Sequence, residues 1–293
     1  MSLFRKRAPF VLIITALLGL VSCQEKENIL PATDMSTTAG ARVQSTDALT
    51  IPMVHTLTNR GDVVLSYGAD GKLNKVEDYN FVQFISYPFD NALVTYKSVY
   101  ANDSLKGKFM LSVYLNAEKR VTKTELVTTF PKTLRTHTEL FEYYPSGQLS
   151  KHYDKNSPST RAVYGYNADG DLSLVTYYNG AGTVIKKVNL YYIGFGNDPL
   201  LNDKYALNPE FDIFDIDLRI YGKFSKNLAR RITIKVYDIT NPNALKLQSD
   251  YYYSYLLDAN GYATQRDCYN LNGANLVNSV KYLYSLSPLV LKF

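Results

Sequence analysis

Tyr143-Tyr144-Pro145-Ser146-Gly147-Gln148-Leu149 and Tyr166-Asn167-Ala168-Asp169-Gly170-Asp171-Leu172 carry tyrosine, glycine and leucine at one spacing. A third copy stands at Tyr67, Gly71 and Leu73, and a fourth, with valine in the last place, at Tyr178, Gly182 and Val184. The pairs before the glycines include Ala69-Asp70, Pro145-Ser146 and Ala168-Asp169, residues suited to a tight reversal before a glycine with positive φ. Each copy therefore reads as a β-hairpin, and the step from Gly147 to Gly170 suits two strands of about eight to ten residues with their turns.

Looser copies surround Gly261, with Tyr255 upstream, and Gly273, with Leu276 downstream. Between Gly71 and Gly147 the pattern blurs, and residues 102–107 and 116–120 read as turns. Val280, Tyr282, Tyr284 and Leu286 alternate with Ser279, Lys281 and Ser285; Val184, Val188, Leu190 and Tyr192 form a second apolar series. The expected fold is all-β: roughly ten to fourteen antiparallel strands in sequence order. So long a meander must curl into a closed or partly closed barrel, since a flat sheet leaves an apolar face and two raw edges. One segment breaks the pattern. Asn208 can cap a helix with Pro209 at its first position and Gly222 past its end, which predicts a short helix near 209–221. Asp212, Asp215 and Asp217 within it read as a solvated acidic face rather than a cation site.

Hydrophobic residues make up 46% of the chain and charged ones 20%, which excludes a disordered acidic chain and a helical membrane bundle. Tyrosine occurs 26 times, tryptophan never and histidine three times, a bias toward sheet and away from histidine chemistry. Arg5, Lys6 and Arg7 precede an apolar run over 8–21 that is too short to span a bilayer comfortably, so residues 1–22 read as a signal peptide. Leu20, Val21, Ser22 and Cys23 resemble the lipobox of bacterial lipoproteins, in which the cysteine is acylated after cleavage. Cys23 is thus the expected lipidation site, followed by a polar tether to residue 50 and a single repeat-built domain over 51–293. Loss of residues 1–22 removes those three cations and no acid, taking the net charge from +5 to +2. No basic stripe for nucleic acid remains. Cys268 is left without a disulfide partner and reads as a small core residue.

His55, His137 and His152 offer no metal-ligand spacing, and no nucleotide-binding or hydrolase motif is present. His137 and His152 face one another across the hairpin at Gly147 with Glu139 nearby, the nearest approach to a site. Residues 167–171 resemble a calcium loop, yet read better as a turn. No catalytic residue, metal or cofactor is expected. The remaining binding candidates are the adjacent tyrosines Tyr143, Tyr144, Tyr177, Tyr178, Tyr251 and Tyr253, because neighbours on a strand cannot all be core and outward rings stack on sugars or protein. The plainer account is that tyrosine stabilises sheets through cross-strand pairs.

The hairpins resemble the tyrosine-rich wall repeats of bacterial Rhs/YD proteins. Together with the lipobox and the segment Tyr221, Gly222, Lys223, Phe224, Ser225, Lys226 and Asn227, the chain resembles a bacteroidal lipoprotein family of unknown function with a porin-like β fold. That resemblance implies a barrel over 51–293 and supplies no catalytic residue. After Cys23, the acidic cluster Glu25 and Glu27 resembles the surface-export signal of bacteroidal lipoproteins, which implies a lipid-anchored protein of the outer membrane, on the cell surface. The expected function is a non-enzymatic envelope lipoprotein binding a glycan or an envelope protein. Two alternatives are an anchored enzyme acting on polysaccharide, which needs two converging carboxylates, and a membrane-embedded barrel. Leu289, Leu291 and Phe293 resemble the C-terminal signature of the latter.

Overall fold

A computed structural model describes residues 53–102, 104–130, 133–193, 199–201, 220–222, 225–237, 244–270 and 274–288. The expected signal peptide, Cys23 and the expected tether lie outside the described residues, as do residues 209–219 of the expected helix. Ile220 and Tyr221 are described and irregular. The chain from Leu49 to Phe293 forms one compact unit.

The strands are β1 (Met53–Arg60), β2 (Val63–Tyr67), β3 (Leu73–Asp78), β4 (Phe81–Phe89), β5 (Ala92–Ala101), β6 (Ser104–Leu115), β7 (Val121–Phe130), β8 (Thr133–Tyr143) and β9 (Leu149–Asp154). They continue with β10 (Ser157–Tyr166), β11 (Leu172–Tyr178), β12 (Val184–Tyr191), β13 (Leu200–Leu201), β14 (Asn227–Leu228), β15 (Arg231–Tyr237), β16 (Leu245–Leu257), β17 (Ala263–Asn270) and β18 (Asn275–Pro288). All but β13 and β14 join a closed antiparallel barrel of sixteen strands in which β1 pairs with β18, and β13 and β14 make a separate two-stranded sheet. The barrel is the expected fold in its fully closed form, with more strands than the sequence pattern suggested.

The repeat sequence produces this wall through one turn used again and again. In the hairpin at Gly170 the Asn167 amide donates to the Asp171 carbonyl at 2.8 Å and the Gly170 amide to the Asn167 carbonyl at 3.0 Å. Gly170 has φ +82°. That is a type I reversal closed by a left-handed residue, and the pairing slips by one beside it, between Gly165 and Tyr166. The same pair of bonds recurs at Gly71, Gly147, Gly182 and Gly261, and at Lys119, which adopts φ +60° without being glycine. Asn167, Asn179 and Asp258 each accept two backbone amides through the side chain, which holds the reversal in place.

Side chains alternate across the wall. Leu65, Val76, Ile85, Leu93, Val113, Leu149, Val175 and Ile232 are among the inward, buried residues. The outward rows mix charge with aromatic and aliphatic groups, including Phe84, Tyr96, Leu256 and Leu283. Tyr282 is inward and Lys281 outward, as the alternation predicts, and Val188, Leu190 and Tyr192 face the core. Val184 leaves that series, because the register shifts between Tyr177 and Tyr178 and pairs Val184 with Tyr178.

Candidate functional site: the lumen and its capped end

One end of the barrel carries the turns at Gly71, Gly147, Gly170 and Gly261, together with the described residues 220–222 and 225–230 between β12 and β15. Those segments cross the opening. The Val121 amide at the start of β7 donates to the Ile220 carbonyl at 2.9 Å, and Tyr221, 2% exposed, packs on Phe141 with ring centres 5.6 Å apart. Four strands further round, Asp171 takes the Lys226 and Asn227 amides at 2.7 and 2.9 Å on Oδ1 and the Asn227 side-chain amide at 2.7 Å on Oδ2. Ser225 bonds the Leu172 amide and the Tyr192 hydroxyl. Asp171 therefore ties the crossing segment to a hairpin turn, in agreement with residues 167–171 acting as a turn. Beside it lies a cleft of about 260 Å³ lined by Asp169, Asp171, Tyr191, Tyr192, Pro199 and Asn227 among others.

A girdle of tyrosines runs inside this end. The hydroxyls of Tyr67, Tyr87, Tyr166 and Tyr192 donate to the carbonyls of Leu57, Leu73, Leu149 and Leu172 at 2.8–3.0 Å, and those of Tyr255 and Tyr284 donate to Ala229 and Ala263 at 2.9 and 3.0 Å. The repeated tyrosine and leucine are thus two halves of one bond linking a strand to the strand before it. Burial pushes the phenols of Tyr166, Tyr192 and Tyr255 well above the ordinary value, so they stay neutral donors. Tyr143 occupies the equivalent place on β8, but its buried hydroxyl has no partner.

The six candidate tyrosines do not share a face. Tyr253 is 2% exposed in the lumen, Tyr143, Tyr177 and Tyr251 pack against the core, and Tyr144 and Tyr178 are the more accessible pair at opposite ends of the barrel. Tyr178 lies under the Arg161 guanidinium at 4.3 Å.

Deeper in the lumen β8 and β9 bring together acids and histidines. Glu139 is paired with Asp154 in the register, His137 Nε2 lies 3.3 Å from Glu139 Oε1, and His137 Nδ1 lies 3.6 Å from Asp154 Oδ2. The Tyr164 hydroxyl is 3.1 Å from His152 Nδ1. The hydrogen bond to Glu139 raises the His137 pKa against its burial. For Glu139, burial acts to raise the pKa, but the bond with His137 and the nearby His152 outweigh it and hold the acid below its usual value. The two histidines are not direct partners, since His152 pairs with Phe141 and His137 with Leu126. A glycosidase acid needs a raised pKa, which this carboxylate does not have. Among the described residues no group of three or more metal-ligating side chains is present.

On the opposite wall sits a cationic and aromatic cluster that the repeat pattern did not point to. Arg266 on β17 pairs with Tyr255 in the register, and its guanidinium stands 5.6 Å from the Tyr253 ring. Arg230 stands 6.0 Å from the Tyr255 ring, and Arg60 pairs with Tyr282. Burial disfavours the charge of Arg266, yet Tyr282, Tyr255 and Tyr253 more than offset it and its pKa stays above the ordinary value. The buried Nε atoms of Arg230 and Arg266 have no acceptor. Cys268 is buried on the same wall, the small core position the sequence suggested. The inward phase of Arg266 was readable from Cys268 two places on; its place beside Tyr253 and Tyr255 was not.

No family model matches the chain, and no curated protein is significantly similar to it. The barrel is similar to the solved structure of a porin-like protein from Bacteroides uniformis, at 11% identity and TM-score 0.46, covering 77% of this chain and 90% of that one. It is also similar to a porin-like protein from Bacteroides vulgatus, at 14% identity and TM-score 0.49, covering 78% and 98%.

Proposed function

We propose that this protein is a non-enzymatic envelope lipoprotein whose barrel is a water-facing binding module, held at the outer membrane by acylated Cys23 and presented on the cell surface. The observation that carries this reading is the charge on the outward wall. Lys75 and Glu77, Lys123 and Glu125, and Lys151 and Glu142 form outward ion pairs at 2.6, 3.0 and 3.0 Å, and Arg231 grips Asp250 through two bonds at 2.8 and 2.7 Å. At the bilayer midplane each Lys or Arg on a barrel's lipid face costs about 2–4 kcal/mol. A wall with such pairs spaced around it suits water.

Glycan is the ligand class the surface suits best, with Tyr144 and Tyr178 as outward rings. The chain from Gln24 is expected to purify without detergent and to bind a subset of bacterial, host or dietary glycans on an array, with binding lost in Tyr144→Ala or Tyr178→Ala. A second reading, a membrane-embedded barrel, is favoured by the even-stranded closed ring and by exposed Leu256, Leu276 and Leu283. Precipitation of the chain whenever detergent is withdrawn favours that reading and overturns the first.

A further inference from the structure

Arg60, Arg230 and Arg266 are brought to one stretch of inner wall between β15 and β1. Arg266 and Arg230 flank the same two rings, Tyr253 and Tyr255, and the Tyr253 amide is bonded to the Arg230 carbonyl at 2.8 Å. Among the described residues no carboxylate lies within ion-pair distance of Arg230 or Arg266. The lumen's own acids are elsewhere. In a ring of sixteen strands β8 and β18 lie eight steps apart in either direction, so Glu139 faces this wall from across the barrel while committed to His137. Like charges confined away from bulk water repel strongly, and guanidinium donors without acceptors cost free energy. Arg230 and Arg266 nevertheless keep partial accessible surface.

We propose that this wall is a binding site for an oxyanion, the carboxylate of an acidic sugar, taken by the guanidiniums of Arg266 and Arg230 with the rings of Tyr253 and Tyr255 beside it. The fork of a guanidinium matches a carboxylate with two parallel bonds. Tyr253 and Tyr255 flank the two guanidiniums, and Arg60 adds a third cation next to Tyr282. The site rests on the reading of the barrel as a binding module, and gives it a ligand chemistry and a place.

The test is thermal unfolding of the chain from Gln24, titrated with D-glucuronate, D-glucose or sodium sulfate against sodium chloride at matched ionic strength. Glucuronate is expected to raise the midpoint saturably, glucose is expected to do nothing, and Arg266→Gln is expected to weaken the apparent affinity at least tenfold. Arg266→Lys, which keeps the charge and loses the fork, serves where the glutamine variant folds poorly, and is expected to weaken binding to a lesser degree. Saturable stabilisation by sulfate without glucuronate keeps the oxyanion site and makes its ligand a free anion. No saturable response to either anion, or an equal response in both Arg266 variants, overturns the proposal. A silent glycan array beside an intact anion response counts against the surface reading alone.

Discussion

The Tyr166 hydroxyl donates to the Leu149 carbonyl at 3.0 Å, seventeen residues earlier, and so welds β10 to β9 at the capped end. Tyr166→Phe leaves that carbonyl without its partner and is expected to cost about 1 kcal/mol, a midpoint drop of about 2–4 °C. Tyr143→Phe removes a buried hydroxyl that has no partner and is expected to be neutral or slightly stabilising. Circular-dichroism melts of the two variants side by side check the pair. Equal losses would show that the bond to the Leu149 carbonyl adds nothing over the unpartnered hydroxyl.

Asp171→Ala removes the carboxylate that accepts two amides and the Asn227 side chain. The expected loss is about 3 kcal/mol, from orphaned donors in a buried setting. Protease digestion followed by mass spectrometry is expected to show new cleavage around 225–230 before the wall unfolds.

Gly222 has φ +84°, and a Cβ there would sit 2.7 Å from the Gly147 carbonyl oxygen. Gly182 has φ +76° with nothing within 4 Å of the added atom. Gly182→Ala is therefore expected to cost only the left-handed penalty, about 1–2 kcal/mol, while Gly222→Ala must also displace backbone and costs more. Denaturant midpoints of the two variants measure the difference.

The raised pKa of His137 makes its pairing with Glu139 pH-dependent. A group whose folded pKa is raised adds stability below its unfolded pKa, about 6.5, and loses it as pH climbs through the folded value. The lowered pKa of Glu139 adds stability above about 4.3 and loses it in acid. Stability from the pair is thus fullest between about pH 4.3 and 6.5 and declines above. His137→Gln is expected to flatten the decline on the alkaline side in a series of melts.

The hairpins at Gly147 and Gly170 were legible because glycine marks the left-handed position and tyrosine marks the strand end before it. The hairpin between β6 and β7 was blurred because Lys119 takes that conformation, so the same turn carries no glycine signature. Between β3 and β4, Asp78 Oδ1 accepts the Asn80 and Phe81 amides and makes a reversal that no repeat announces, which is one reason the strand number exceeded expectation. The girdle could not be read, since an inward tyrosine and an outward one look alike until the slip beside each turn is known. The arginine wall was hidden for another reason. Arg60 sits far from Arg230 and Arg266 in the chain, and only closure of the ring through β1 and β18 makes it their neighbour.

Pairing of β1 with β18 also has a kinetic meaning. Thr58 on the first strand bonds the Leu283 carbonyl 225 residues later, so the seam can form only after nearly the whole chain has been synthesised. Until then β1 is an unpaired edge with open amides, the kind of surface on which strands from other molecules add. Contacts of such separation make for slow folding. The nascent chain therefore has a vulnerable interval set by its last strand, during which a holding chaperone has more to protect than in a protein whose ends fold early.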